Sequence, residues 1–155
     1  MRGRATWGSL VLDLPQDMKD ETVVILRAPE PANAVPLRLS KGPTLRPSFV
    51  CKQTSLGPNP PTLDQLADVE IQALVGMAAG LTVHSRSVEV IADRPTLLIE
   101  ASFDTPSGRI RQAHATTVLD RVALSFAATA LDDAAFPSVR ATLRALIGSA
   151  ALDPQ

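Results

Sequence analysis

The stretch LTVHSRSVEVIADRPTLLIEASFDTPSGRIRQAHATTVLDRVALSFAATAL, residues 81–131, decides the fold. It contains four strand-like runs, separated by the turn signals DRP at 93–95, TPSG at 105–108 and Asp120. Such short links join antiparallel neighbours, because a parallel connection needs a crossover of about a dozen residues or more. The sequence therefore predicts an antiparallel meander of four strands.

The last two runs alternate in the size of their side chains. Val122, Leu124 and Phe126 alternate with Ala123, Ser125 and Ala127, so one face is bulky and the other small. Small residues also recur in the preceding run, at Ala113 and Ala115. Two interpretations remain open. The small side chains either receive the chain's own helices at close range or form a docking surface for another molecule.

Two helices are predicted beside this meander. Thr62 and Gln65 have the spacing of a capping box ahead of an apolar run that Gly80 can end. The apolar face of this first helix is expected at Leu66, Val69, Ala73 and Met77.

The second helix is expected to be capped by Asp132 or Asp133 and to run to about Ile147. Its apolar stripe is Phe136, Val139, Leu143, Leu146 and Ile147.

Three further strands are expected before the first helix, at residues 7–14, 22–28 and 48–54. The proline-rich residues 29–47 between them favour a mobile connection, and a loose tail is expected from about residue 149. The chain is thus predicted to be a single α+β domain over residues 1–155. Its largely antiparallel sheet would have about six or seven strands and two main helices.

Composition limits the possible partners. The 155 residues carry a formal net charge of -1 and only 3% aromatic residues, so neither nucleic acid nor an anionic membrane is an expected partner. No run approaches the roughly 20 apolar residues of a membrane-spanning helix, and no signal peptide is evident. With Cys51 as its single cysteine, the chain is expected to be cytoplasmic.

No arrangement of residues predicts catalysis. His84 and His114 lack metal-ligand spacing, and Cys51 is expected to act as a small hydrophobic residue. The sequence also lacks a nucleophile elbow, a phosphate-binding glycine loop and a dinucleotide fingerprint. We therefore expect no enzyme activity, no cofactor and no metal site.

Several short motifs, taken in order, carry a resemblance to a known family. They are Leu14-Pro15, Asp20 with Thr22, the strand Val23 to Leu26, Ser48-Phe49-Val50, and Arg111-Gln112. In this order, with the helix, the meander and the final helix, they resemble the DcrB-related domains of PsbP-like fold. Within that group the chain looks most like the EagR-type chaperones of type VI secretion effectors.

The resemblance implies a bacterial, cytoplasmic, homodimeric and non-enzymatic chaperone that shields the apolar N-terminal helices of an effector before export. The family's client-contacting role carries over to Val23 and Ile25, which lie in the matching strand. Strand parity adds Ala113, Ala115, Ala123 and Ala127 as candidate client-binding residues. The alternative is a PsbP-like accessory protein that assists assembly of a larger complex by binding folded proteins.

Overall fold

An antiparallel sheet forms the centre of the computed structural model. The model describes the backbone of residues 3–7, 10–14, 19–22, 25–27 and 47–152, and the side chains of residues 47–151. Five long strands run in the order β5-β9-β8-β7-β6. They are β5 (Ser48–Ser55), β6 (Ala79–Ile91), β7 (Arg94–Thr105), β8 (Gly108–Leu119) and β9 (Val122–Leu131). The predicted meander is β6 to β9.

Five short strands accompany this core sheet: β1 (Gly3–Trp7), β2 (Leu10–Leu14), β3 (Lys19–Thr22), β4 (Ile25–Arg27) and β10 (Ala151–Leu152). β4 and β3 extend the sheet beyond β5, while β1, β2 and β10 form a separate three-stranded sheet. The predicted count of six or seven strands is reached only when β3 and β4 are added to the five long strands.

The predicted strand over residues 22–28 was wrong in its extent. Thr22 ends β3 and Ile25 begins β4, and these two residues are paired opposite each other, so the chain reverses direction between them. Val23 and Val24 lie outside the described residues. An unbroken apolar run gave no turn signal there, which is why the reversal was missed.

Two of the three tight turns of the meander, β6–β7 and β8–β9, are built where the sequence has aspartates. Ala92 and Asp93 have φ of 50° and 60°, and Asp120 and Arg121 have φ of 42° and 62°. Two successive residues with positive φ form the type I′ turn, whose twist matches that of the paired strands. Aspartate tolerates this conformation better than most side chains. These turns fix the register of β6 on β7 and of β8 on β9.

Helix α1 (Leu63–Met77) begins as the sequence predicts. The backbone N–H of Gln65 donates to Thr62 Oγ1 at 3.2 Å, and the N–H of Thr62 donates to Gln65 Oε1 at 2.9 Å. Its end was predicted wrongly: Ala78 is the C-cap, and Gly80 lies within β6 at φ 62°. A side chain at Gly80 would collide with the carboxylate of Asp104.

The predicted apolar face of α1 was only partly right: Leu66 packs against the cluster of Ala67, Leu97 and Ile99, but Val69 and Met77 do not. Ala67 and Leu74 are the buried residues of this helix, whereas Val69 is 68% exposed and Met77 is 80% exposed. The helix carries two apolar stripes, and spacing alone cannot say which of them meets the sheet. Leu97 and Ile99 of β7 pack against Ala67, which settles the choice.

Replacing Thr62 by alanine tests the capping box directly. The variant should lose about 1 kcal/mol of free energy of unfolding, because the N–H of Gln65 then has no side-chain acceptor. Thr62→Ser keeps the hydroxyl and serves as the control. Chemical denaturation measures both variants. Equal losses for alanine and serine would contradict the capping role.

Helix α2 (Phe136–Ser149) lies on the opposite face of the sheet and buries the whole predicted stripe from Phe136 to Ile147. Its N-cap is Ala135, with no side-chain bond, so the predicted capping by Asp132 or Asp133 was wrong. Asp133 instead accepts a hydrogen bond from the N–H of Ala135 at 2.9 Å. Because Ala135 precedes the helix, this bond satisfies no N–H group of the first helical turn.

The C-terminal end of α2 is fixed to the sheet. Arg94 donates to the carbonyl oxygens of Ile147 at 3.0 Å and Ala150 at 2.7 Å. Ala150 is buried, and β10 pairs with β2. The tail expected to be loose from about residue 149 therefore remains part of the fold as far as Leu152.

The helices and the sheet form an α/β/α sandwich whose two sides differ in the size of their apolar clusters. The α2 side holds the large cluster that includes Phe49, Leu124 and Phe126, whereas the α1 side holds a small cluster of Ala67, Leu97 and Ile99. The predicted α+β class with an antiparallel sheet and two helices is confirmed. The α1 side therefore has the smaller buried apolar core.

Candidate functional site

The register of the meander separates the four candidate alanines. Ala113 and Ala115 of β8 are 3% and 0% exposed and belong to the cluster beneath α2. They lie opposite Ala128 and Phe126 of β9, and directly opposite residues of an antiparallel pair share a face. As the first of the two interpretations predicts, they receive the chain's own helix.

Ala123 and Ala127 lie on the other face. Ala127 is paired with His114 on one side and with Val50 on the other, and His114 contacts α1 through Glu70. Ala123 is 3% exposed, and Ala127 is half-buried. The four alanines therefore do not form one surface. A client-binding role for Ala123 and Ala127 stays a prediction.

The two strand residues taken from the resemblance lie at the limit of what the structure describes. Ile25 is in β4, with its Cα opposite that of Val50. Val23 lies outside the described residues. Their client-contacting role stays a prediction as well.

Exposed large hydrophobic side chains occur on one side of the molecule. Among the described side chains these are Val50, Val83, Val88, Val90 and Val118 on strands, and Val69, Val75 and Met77 on α1. The five strand valines lie opposite Ala127, Ala101, Leu97, Pro95 and Ala123 respectively, all on the face that carries α1. Large exposed apolar patches are typical of interaction surfaces.

Helix α1 covers only part of this face. Arg86 of β6 binds Asp68 at 2.7 Å and Asp64 at 3.2 Å, and Glu70 reaches β8, which places α1 over β6 to β8. Within residues 47–151 no helix covers the same face of β9 and β5. We call this part the open face; it consists of the exposed or half-buried residues Val50, Lys52, Thr54, Val118, Ser125 and Ala127.

A hydrogen-bonded pair, Glu70 of α1 and His114 of β8, lies at the border between α1 and the open face. Glu70 Oε1 lies 2.9 Å from His114 Nδ1, and His114 Nε2 lies 3.1 Å from Gln112 Oε1. The hydrogen bond to His114 lowers the pKa of Glu70 despite the opposing effect of burial. The pair ties α1 to β8.

The α2 side carries a separate polar cleft of about 350 Å³ between α2, β6 and β7. Glu100 lies within it and accepts from Arg111 at 2.8 Å and from both Nε and Nη2 of Arg140. Burial raises the pKa of Glu100, but the bonds from Arg140 and Arg111 outweigh it and hold the pKa below its usual range. A second pair, Arg144 with Glu89, spans 2.6 Å.

Sequence reasoning missed this network. Glu100 and Arg140 are forty positions apart in the chain, so no local pattern links them. The one available signal was a charged residue, Glu100, inside the apolar run LLIEASF.

Cys51 is buried, and burial raises its pKa to about 12, so its thiol stays protonated and unreactive at neutral pH. In residues 47–151 no three His, Cys, Asp or Glu side chains are grouped as a metal would need. Of the helices described, neither has the length and apolar character required to cross a membrane.

Comparison with known proteins gives a likeness of structure alone. No family model matches the chain, and no curated protein matches it. LpqN of Mycobacterium tuberculosis, a protein involved in cell envelope biogenesis, superposes with a TM-score of 0.67 at 15% identity, covering 99% of this chain and 91% of LpqN. PA94 of Pseudomonas aeruginosa, of unknown function, gives 0.61 at 14% identity and covers 99% of both chains.

Cyanobacterial PsbP from Synechocystis matches with a TM-score of 0.59 at 11% identity, covering 98% of this chain and 91% of the other. The fold is PsbP-like. The fold implied by the resemblance is thereby confirmed. Identities this low carry no function across, so the EagR-type role of this PsbP-like chain is a proposal.

Proposed function

We propose that this protein is a cytoplasmic, homodimeric chaperone or adaptor. It binds and shields the apolar, transmembrane-type N-terminal helices of a type VI secretion effector before export. One observation carries the proposal: the exposed large hydrophobic side chains of the described residues all lie on the α1 side of the sandwich. That side also holds the open face, which α1 leaves uncovered.

The chemistry of the open face suits an apolar helix. Ser125 and Ala127 are small and half-buried, so a helix backbone can approach β9 closely, as it does where helices pack within membranes. Val50 and Val118, which are 37% and 36% exposed, flank these small residues on the neighbouring strands. Burying a fully exposed valine contributes roughly 1.5–3 kcal/mol. About a third of each of these side chains is exposed, so a helix that covered both would gain roughly 0.5–1 kcal/mol from each.

Such a chaperone acts by mass action. Occupancy keeps the client helix from aggregating or inserting prematurely, and it does so without chemistry on the client. The function therefore calls for no nucleophile, metal or cofactor.

The test is co-expression with an effector segment that contains an apolar N-terminal helix. The wild-type chain should keep the segment in the soluble fraction and co-purify with it. Val50→Glu should reduce the captured amount by at least tenfold, because a carboxylate would be buried against an apolar helix. Val90→Glu, on β6 away from the open face, is the matched control and should capture normally.

Thermal unfolding of both variants shows whether the fold is intact. The proposal fails if the wild-type chain neither solubilises nor retains the segment, or if Val50→Glu folds and still captures it.

A second candidate is an accessory protein that binds folded partners during assembly of a larger complex. The polar members of the open face, Lys52, Thr54 and Ser125, favour it, because protein interfaces mix apolar and polar side chains. Capture of a folded partner in preference to apolar helices, with Val50→Glu weakening that capture, would support this candidate over the chaperone.

A further inference from the structure

Helix α1 is attached to the sheet by much less apolar packing than α2. Of its residues only Ala67 and Leu74 are buried, whereas α2 buries five. Ala67 packs on Leu97 and Ile99 of β7 in a small cluster, while the cluster beneath α2 is several times larger. Because hydrophobic stabilisation follows the apolar area removed from water, separating α1 from the sheet costs far less than separating α2.

Polar contacts on both flanks of α1 add to this small cluster. On one flank Arg86 of β6 donates to Asp68 at 2.7 Å and to Asp64 at 3.2 Å. On the other flank Glu70 lies 2.9 Å from His114 of β8. The side chains of Asp64 and Asp68 are 80% and 67% exposed. Exposed ion pairs contribute little to stability, and water replaces the lost partners when α1 leaves the sheet.

The backbone at both ends of α1 can act as a hinge. Before the helix, residues 57–60 are exposed and belong to no helix or strand. After it, Ala78 is the C-cap, and the pairing of β6 with β7 is irregular between Ala79 and Ser85. Hinges are a few loop or element-terminal residues that absorb the change in backbone angles. The helix can therefore move as a unit without breaking the regular pairing from Ser85 onward.

A client helix gains more from this face of the sheet than α1 does. α1 carries the carboxylates of Asp64, Asp68 and Glu70 and has only two buried residues. A transmembrane-type helix is apolar on all sides, so it buries apolar side chains whichever side meets the sheet. Exchange of α1 for such a helix therefore increases the apolar area that is removed from water.

We propose that α1 is a detachable cover: it undocks as a unit while the sheet and α2 stay folded, and a client helix bound to the open face displaces it. Undocking uncovers Leu97 and Ile99, which are 3% and 1% exposed when α1 is docked, and joins them to the open face. Without a client, α1 keeps these two side chains away from water. The displacement step rests on the proposed function, whereas the undocking does not.

Thiol labelling of the full chain tests the undocking. Ala67→Cys places a thiol on the inner side of α1, and Ile99→Cys places one on the sheet beneath it. The native Cys51, buried in the cluster beneath α2, is the internal control. Both introduced thiols should react with a soluble disulfide reagent at least 100-fold faster than Cys51. Rates no faster than that of Cys51 would overturn the proposal, because α1 would then open only when the whole protein unfolds.

Two comparisons separate undocking from packing defects. Ala67→Cys enlarges a buried side chain and Ile99→Cys shrinks one, so fast labelling of both thiols cannot come from one kind of defect. Hydrogen exchange of the wild-type chain needs no substitution. The amides of α1 should exchange at least 100-fold faster than those of α2, because an isolated helix of this length is marginal in water. Equal exchange in the two helices would contradict the undocking.

Arg86→Gln tests the contribution of one flank. It should raise the labelling rate of the Ala67→Cys thiol about fivefold and leave that of Cys51 unchanged. Arg144→Gln is the matched control, because it removes an ion pair of similar arginine exposure on the α2 side. An equal rise with Arg144→Gln would show that the whole fold has loosened and would count against a specific attachment of α1.

The response to a client distinguishes this proposal from the proposed function. An effector segment with an apolar helix should speed labelling of the Ala67→Cys thiol at least tenfold, because α1 is held off the sheet. It should slow labelling of the Ile99→Cys thiol at least tenfold, because the client covers that position. A captured segment that changes neither rate would overturn displacement and leave the proposed function standing. If no segment is captured, the proposed function and displacement both fail, and fast labelling of the two thiols still establishes undocking.

Discussion

Replacement of Glu100 by glutamine is expected to lower the free energy of unfolding by about 3 kcal/mol, because it leaves Arg111 and Arg140 facing each other without their shared carboxylate. Glu100 is 9% exposed, and its carboxylate connects the sheet to α2 because it binds both Arg111 of β8 and Arg140 of α2. Arg111 also lies 5.1 Å above the ring of Phe136. Chemical denaturation at neutral pH measures the loss.

Glu89→Gln is the matched control on the neighbouring strand. The side chains of Glu89 and Arg144 are 42% and 39% exposed, and an exposed ion pair contributes about 1 kcal/mol or less. Similar losses of free energy of unfolding for the two variants would show that the burial of Glu100 does not strengthen its ion pairs.

The lowered pKa of Glu100 predicts that part of the free energy of unfolding is lost in acid. The folded-state pKa of Glu100 is lowered, so its contribution is fully present above the pKa of an unfolded glutamate and is lost as pH falls through the folded value. The difference in stability between wild type and Glu100→Gln should therefore be constant near neutral pH and shrink in acid. Glu70, whose pKa is also lowered, is unchanged in both chains and cancels from this difference.

Ala115→Leu is expected to destabilise the protein by about 1–3 kcal/mol, because Ala115 is 0% exposed and the added methyl groups have no room beneath α2. Ala127→Leu should change stability by less than about 0.5 kcal/mol, because it adds the same atoms on the open face. Thermal or chemical unfolding of the pair compares the two faces of the sheet.

The Ala127→Leu variant also bears on function. A larger side chain at the centre of the open face should hold a client helix away from β9 and weaken its capture. Destabilisation of equal size at Ala115 and Ala127 would mean that both alanines lie in filled cores, and the open face would then be ruled out as a docking surface.

The sequence alone determined the elements whose signals are local. Aspartates at two of the three tight turns, the capping box at Thr62 and the single apolar stripe of α2 each act within a few residues, so the existence of the meander and of both helices was predicted correctly. Two local predictions failed. Ala78 and not Gly80 ends α1, and Ala135 and not Asp132 or Asp133 is the N-cap of α2.

Only the tertiary structure decided which faces are buried. Strand parity divides β8 and β9 into two faces but cannot say which face of β8 matches which face of β9, because that depends on the register set by the turn at Asp120. The same holds for α1: the spacing predicted a face that includes Val69 and Met77, which are exposed, whereas Leu97 and Ile99 pack against Ala67. Burial and the Glu100 network depend on contacts between distant parts of the chain, which no local pattern encodes.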